Sequence, residues 1–450
     1  MVSSEQLKSN MEVRKEGTVI DVIFNQYGVK IRATRVWEVR KRVTEAEITI
    51  YADLPTIGKQ QERIERTNVS LLDYSTKRRL IEVLSEKTDD FAQISWGTII
   101  NQAFDAIIDL HREGTPAIEM TDLHINESPR SFFVNPFFVK GASNMVYAKG
   151  GSGKSMFSLL TCVLVDRGIS TAGISAVKGN VIWLDWEEES SVFKNRLYAI
   201  QKGLGLTDPE KSGILWKRMD RSLPDEIDEV ATIVADIGSP TYLVIDSLSA
   251  AIDGSANDDE SIKRYFNALR TLGEGTTSVT IDHTNKAGEL YGSSMKHNRT
   301  RMMHELKKID TYKNAQGNNV ADVAMYWRKG NDAAPSTARG FEVTYLDKVI
   351  ESEYGNSYTD KVIFRSMNLG ESDQVLGELT VAKVCEEIIK SSGSQDLDKL
   401  AQRVSIVKDE TITSDAIANF VRSTKSLQVN DNGTVGLLYN EGDRNDYTIE

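Results

Sequence analysis

No run of about 18 apolar residues occurs in this 450-residue sequence, so no membrane span is expected. The opening residues, Met1 to Gly17, mix both charge signs and lack the apolar middle of a signal peptide. Cysteine is scarce. Cys162 and Cys385 are too few to build a zinc site by themselves, and each falls in an apolar, helix-like stretch where a thiol serves as a small buried hydrophobe. That usage suits a reduced, cytoplasmic protein. An excess of basic residues is also missing: 66 acidic against 54 basic side chains leave a net charge of −12. This argues against a nonspecific DNA coat, basic over its whole surface, but not against a local basic groove. Internal repeats and low-complexity segments are absent. The hydrophobic fraction of 40% is ordinary for a globular protein, and at ~100–200 residues per domain the chain holds two to four domains.

Three regions and a connector separate by pattern. In residues 1–120, stretches 18–24, 29–36 and 47–52 alternate or carry β-branched runs and predict a small antiparallel sheet. Helical spacing follows over 71–84 and 96–111, giving a small α+β domain. Its basic cluster Lys77-Arg78-Arg79 reads as a solvated helix face. Residues 121–142, punctuated by Pro129 and Pro136, form a connector. In residues 143–370, strand candidates 144–148, 179–185, 241–246 and 278–282 alternate with helical patterns starting at Lys154, Ser190 and Asp258. That alternation implies an α/β core with a parallel sheet and helices on both faces. Runs 322–328, 340–345 and 361–366 read as antiparallel additions to one edge. Residues 371–450 show helical patterns over 380–390, 396–404 and 414–425, then a hairpin over 427–437 with an Asn432-Gly433 turn. Three helices and a hairpin outline a winged-helix-like domain.

The chemistry concentrates in the second region. Residues 144–147 supply a strand; Ala148-Lys149-Gly150-Gly151-Ser152-Gly153 supply a glycine-rich turn; and Lys154-Ser155-Met156 open a helix. Backbone N–H groups of such a loop converge on phosphate oxygens, and the helix dipole favours their charge. Lys154 would neutralise the β and γ phosphates of ATP, and Ser155 would ligate Mg²⁺. Ala148 stands where the first glycine of such loops is usual, so its backbone cannot take a glycine-only conformation.

Acids follow at the ends of apolar strands, where open sheets bind their ligands. Leu243-Val244-Ile245-Asp246 ends in the aspartate expected to hold the Mg²⁺ water shell. Val181-Ile182-Trp183-Leu184-Asp185-Trp186-Glu187-Glu188-Glu189 ends in several acids. Glu187 is the candidate catalytic base that polarises the attacking water, on a strand expected beside the P-loop strand. Glu188 and Glu189 also suit a helix N-terminus as charge decoration. His283, after Ile281-Asp282, is a candidate sensor of the γ-phosphate.

In order and context, the phosphate loop, Leu184-Asp185-Trp186-Glu187, Val244-Ile245-Asp246-Ser247-Leu248, Ile281-Asp282-His283-Thr284-Asn285-Lys286-Ala287-Gly288 and Tyr291-Gly292-Ser293 resemble RecA-like P-loop NTPases. The chain is most similar to the RepA-type hexameric helicase group and its phage and mobile-element AAA-family ATPase relatives. Gly292-Ser293 with Lys296, Asn298 and Arg301, and Lys329-Gly330-Asn331, resemble signatures of those relatives, over about residues 140–350. Where the pattern leads us to expect tryptophan after that arginine, this chain has His304. The resemblance implies a RecA-like core binding ATP and Mg²⁺, with Ser155 and Asp246 as metal ligands, Glu187 as base, and a homo-oligomeric hexameric ring or filament with single-stranded DNA in its channel. It also implies a basic residue reaching into the neighbouring subunit's site, for which Arg328 and Lys329 are the candidates. The loop from Lys286 to Arg301, with Lys286, Lys296 and Arg299, is the candidate DNA contact.

The leading expectation is therefore a DNA-dependent ATPase of the helicase class, serving replication, recombination or repair with partner proteins of those processes. The alternatives are an ATP-gated regulator or adaptor that binds DNA through the winged helix, and a signalling ATPase of RecA fold that does not touch DNA. A zinc-ribbon cysteine set and a carboxylate cluster are both missing from residues 1–120, so no primase is expected there.

Overall fold

The computed structural model describes residues 11–40, 43–53, 61–88, 94–114, 131–285, 288–330, 338–349, 357–424, 426–430 and 432–438. The chain divides into two compact units, each discontinuous in sequence. Met1–Pro129, Arg221–Thr241 and Lys263–Thr276 make the first; Arg130–Asp220, Tyr242–Ile262 and Thr277–Glu450 make the second.

In the first unit, β1 (Met11–Glu16), β2 (Val19–Phe24), β3 (Val29–Arg40), β4 (Val43–Asp53) and β5 (Gln61–Ser70) form an antiparallel sheet in chain order. Alternate residues Val29, Ile31 and Ala33, and Ile48, Ile50 and Ala52, turn inward. The helix Tyr74–Lys87, capped by Asp73 accepting from the Thr76 N–H at 2.8 Å, and the helix Trp96–Glu113 pack against this face. The edge strands β1 and β5 escape the sequence pattern because they are charge-rich; charge on an edge strand blocks pairing with a second sheet. Buried Arg32 donates to both carboxylate oxygens of Asp21 at 2.7 Å and to Asp236 at 2.5 Å, joining the sheet to the helix Leu223–Ile237.

The second unit is built on a mixed sheet. The short strands β6 (Phe132–Asn135) and β7 (Phe138–Val139) lead into β8 (Ser143–Ala148). The short β9 (Ser170–Thr171) and β10 (Ile174–Ala176) join β6 and β7 in a small separate sheet. The main sheet then takes β11 (Asn180–Asp185), β12 (Leu215–Arg218), β13 (Thr241–Asp246), β14 (Thr276–His283), β15 (Met302–Lys313), β16 (Asn319–Gly330), β17 (Ala338–Val349) and β18 (Ser357–Met367). Its order is β12-β11-β13-β14-β8-β15-β16-β17-β18. β8 pairs in parallel with β14 and β15, whereas β15 through β18 pair antiparallel. The sheet is thus a mixed α/β sheet, parallel around β8 and extended on one side by antiparallel strands.

One expectation changes here, and one strand was not foreseen. β11, which carries the acidic run, is not beside β8: β13 and β14 lie between them. Lateral strand order is set by tertiary packing, which local pattern does not encode. β15 itself escapes the alternation rule because it serves two roles. Its start lies against β8 and is buried, while its second half pairs with β16 and carries exposed charge.

C-terminal to the sheet, the helices Val381–Ser392, Leu397–Lys408 and Ser414–Ser423 enclose Cys385, Ile388, Leu400, Val404, Ile417 and Val421. A small sheet completes this part, in the order β19 (Gln395–Asp396), β21 (Thr434–Leu437), β20 (Leu427–Val429). Cys162 and Cys385 are both buried free thiols. Among the described residues, no helix is long and apolar enough to cross a membrane.

Candidate active site

The phosphate loop leaves β8 at Ala148 and enters the helix Lys154–Arg167. Ala148 is the buried last residue of β8 and does not need a glycine-only conformation; the left-handed turns fall instead at Gly151 (φ 73°) and Gly153 (φ 92°). The helix buries apolar side chains all round, from Phe157 to Val165, which fixes its N-terminus at the end of the sheet. There its first N–H groups have no intrahelical partner and face the cavity.

Lys154, 6% exposed, rests its ammonium on the Ala148 and Lys149 carbonyls at 3.0 and 3.3 Å, and lies 3.4 Å from His283 Nδ1. Burial lowers its pKa, and the nearby acids Asp246, Asp282 and Glu187 oppose that. Asp246, at the end of β13, bonds the Ser155 side chain; burial pushes its pKa up to about 6. A hydroxyl and a carboxylate side by side are hard oxygen donors, which fits Mg²⁺.

The acidic turn after β11 is held beside these groups by backbone. Trp186 N–H donates to the Asp246 carbonyl at 3.2 Å, and Thr284 N–H donates to the Ala148 carbonyl at 3.2 Å. The ends of β11 and β13, and of β14 and β8, are thus tied in pairs. Glu187 accepts from Ser247 Oγ at 2.9 Å and lines the same cavity as the loop, Asp246 and His283. Glu187 therefore reaches the loop although its strand is not adjacent. Glu188 is occupied elsewhere: its carboxylate pairs with Arg196 at 2.5 Å, and its carbonyl accepts from Arg218 at 2.6 Å.

Sequence reasoning missed Asp185. It is buried and accepts the N–H groups of Glu187 and Glu188 at 3.0 and 2.9 Å and the Trp216 indole at 3.1 Å. It shapes the acidic turn and is not among the residues that line the cavity. An acid two residues before the candidate base, in a strand otherwise apolar, was the available signal.

Of the other predicted residues, Met156 lines the cavity and Lys149 is exposed on the loop. Arg328 bonds Glu305 and Glu378, each at 2.7 Å; Lys329 donates to the carbonyls of Thr300, at 2.7 Å, and His297. Neither lines the cavity of its own chain. Lys286 lies outside the described residues. Lys296 is a correction: expected on a DNA-facing loop, its side chain is 0% exposed and pairs with Asp282 at 2.8 Å, so it offers no charge to a phosphate. Arg299, half-buried, ends the short helix Met295–Arg299.

His283, at the end of β14, has its pKa lowered by burial and by Lys154. His304 is fully buried against the Phe137 carbonyl and stands apart from the site.

No curated protein matches the chain. Residues 111–289 match a family model described as AAA domain, a stretch that takes in the phosphate loop, Glu187, Asp246 and His283 and stops before β15. That match and the geometry around Lys154 support a P-loop ATPase domain in this chain.

Proposed function

We propose that this chain is an oligomeric motor ATPase of the RecA type, in the helicase class, whose hydrolysis is coupled to single-stranded DNA. The observation that carries the motor reading is the convergence of the loop, Asp246, Glu187 and His283 on one cavity, from strands in the order β11-β13-β14-β8-β15. In this reading Lys154 and the loop amides hold the β and γ phosphates. Ser155 and Asp246 hold Mg²⁺, which supplies charge neutralisation on the phosphates. Glu187, oriented by Ser247, takes the proton of the attacking water. His283 senses the γ-phosphate through its closeness to Lys154. Arg328 or Lys329 completes the site of a neighbouring subunit, exchanging its present carboxylate or carbonyl partners for phosphate.

The DNA coupling is supported by the resemblance and by the segment after β14, with Arg299 and, in sequence, Lys286. The test is the ATPase rate with and without single-stranded DNA across a salt series. Stimulation should fade with salt, with log affinity falling at about −0.7 per phosphate contact. A rate indifferent to DNA of any form, across low and moderate salt, would move the reading to a signalling ATPase.

A second reading, an ATP-gated DNA-binding regulator or adaptor, is favoured by the C-terminal element order: helix, β19, helix, helix, β20, β21. That is the order of a winged helix. Strand displacement on a forked substrate separates the two, since a regulator would bind without unwinding.

A further inference from the structure

The cavity at the phosphate loop is larger than phosphates need. It measures about 730 Å³, within the ~300–1,000 Å³ of small-molecule sites. One end is the loop itself. The other is a wall that the sheet builds past its own parallel half. β15 pairs with β8 only as far as Glu305 opposite Tyr147, then continues to Lys313 with β16 alongside. Strands β15 to β18 therefore stand beyond the C-terminal end of β8, next to the loop.

One face of this wall alternates by register. Leu306, Val323, Val343 and Phe364 are buried and belong to the same core as Phe157 of the loop helix. Further along the same face stand Thr311, Ala321 and Tyr345, which line the cavity. Ala321 lies opposite Thr311 on one neighbour and Val343 on the other. A methyl group there, among larger side chains, is what leaves the bay open. Arg196, held by Glu188, lines the cavity from the helix Ser190–Gly203.

We propose that this bay is the base subsite of the ATPase: it takes the purine ring of the nucleotide whose phosphates the loop holds, with Ala321 leaving the room and Tyr345 forming the aromatic wall. The inference rests on the P-loop reading and extends it from the phosphates to the base. The lining offers the Tyr345 ring face and apolar area, together with the polar side chains of Arg196, Lys308, Thr311, Lys313 and Asn319. The ring face and the apolar area rank bases by buried area, purine above pyrimidine.

The test compares ATP with inorganic tripolyphosphate, which has the phosphates and no base, by calorimetric titration of the full chain. The unaltered protein should bind ATP at least about tenfold more tightly than tripolyphosphate. Ala321→Trp fills the bay, so its ATP affinity should fall about tenfold or more while tripolyphosphate binds as before. Tyr345→Ala removes the wall without filling the bay and should lower the ATP-to-tripolyphosphate ratio by about threefold to tenfold. Ala321→Trp protein that binds both ligands as the unaltered protein does overturns the inference. If Ala321→Trp loses both ligands by misfolding, Tyr345→Ala decides: an unchanged ratio overturns the inference, a lowered one supports it. Failure of the underlying reading looks different. Then neither ligand binds the unaltered protein, or Lys154→Ala leaves both affinities intact.

Discussion

Lys154 and Lys296 are both buried ammonium groups, and in the sequence both read as ligands of phosphate. The structure separates them. Lys154 lies in an open cavity, bonded to carbonyls and near three acids, none of which it bonds. Lys296 has no exposed surface and bonds Asp282 at 2.8 Å and the Tyr291 carbonyl at 2.6 Å. Its surroundings are equally fixed. Ser293 Oγ donates to Asp259, and Ser293 N–H donates to the Ala256 carbonyl at 2.9 Å. Gly292, at φ +98°, leaves no room for a side chain, since a Cβ would collide with that carbonyl. A buried cation with its carboxylate already in place is a structural strut. One left on neutral carbonyls, beside a helix N-terminus, still has its charge to offer an anion.

The sharpest way to break this comparison is to remove each charge and ask what is lost. Lys154→Ala should abolish ATP hydrolysis and weaken nucleotide binding while leaving thermal stability unchanged or raised, because no carboxylate is left unpaired. Near-normal turnover would sink the assignment of the phosphate loop. On the acid side of the cavity, Glu187→Gln should cut turnover by roughly 10²–10⁴ with ATP binding intact, the range of a lost general base. Glu188→Gln should leave turnover close to normal, since Glu188 faces Arg196. The reverse result would mean that the wrong carboxylate has been chosen.

Lys296→Ala should act on stability instead. Asp282 would be left buried without its cation, at a cost of about 3–5 kcal/mol, read as a lowered midpoint in urea unfolding. Burial already pushes the Asp282 pKa up, and Lys296 holds it down. Adding Asp282→Asn to Lys296→Ala should recover part of the loss. If Lys296→Ala kept full stability and instead removed DNA stimulation, the strut would be a DNA contact after all.

The comparison also marks what was legible in the sequence. The phosphate loop is local: strand, glycines and helix lie within a few residues, and their conformations are dictated there. The acidic ends of β11 and β13 were legible because an apolar strand that ends in acid is itself a local pattern. The lateral position of β11 was not, because the order β11-β13-β14-β8 arises from packing between segments far apart in the chain. The wall of β15 to β18 was half legible. Its later strands alternate, but the start of β15 is buried against β8 and its second half is charged. Lys296 misled because its partner lies 14 residues away in β14, and charge on a loop says nothing about whether a carboxylate waits for it.

A third buried basic group sharpens the contrast by carrying no charge. His304 stands where relatives led us to expect tryptophan, enclosed by Phe137, Phe138 and Trp327. Its Nε2 lies 2.7 Å from the Phe137 carbonyl, which fits a neutral ring donating from that nitrogen. Burial pushes its pKa down to about 3, whereas an unfolded histidine titrates near 6.5. The unfolded chain therefore takes up a proton that the folded chain refuses. The stability held by neutral His304 is complete above about pH 6.5 and declines as the pH falls toward the folded value, by about 1.4 kcal/mol per pH unit. Between pH 7.5 and 5.0 this amounts to about 2 kcal/mol. His304→Phe should be less stable at pH 7.5, because it strips the Phe137 carbonyl of its donor. It should nevertheless lose about 2 kcal/mol less than the unaltered protein between the two pH values. Urea unfolding of both proteins at both pH values gives this double difference, in which every other titrating group cancels. Equal losses in the two proteins would mean that His304 accepts a proton in the folded state, and that its burial among the rings is not what keeps it neutral.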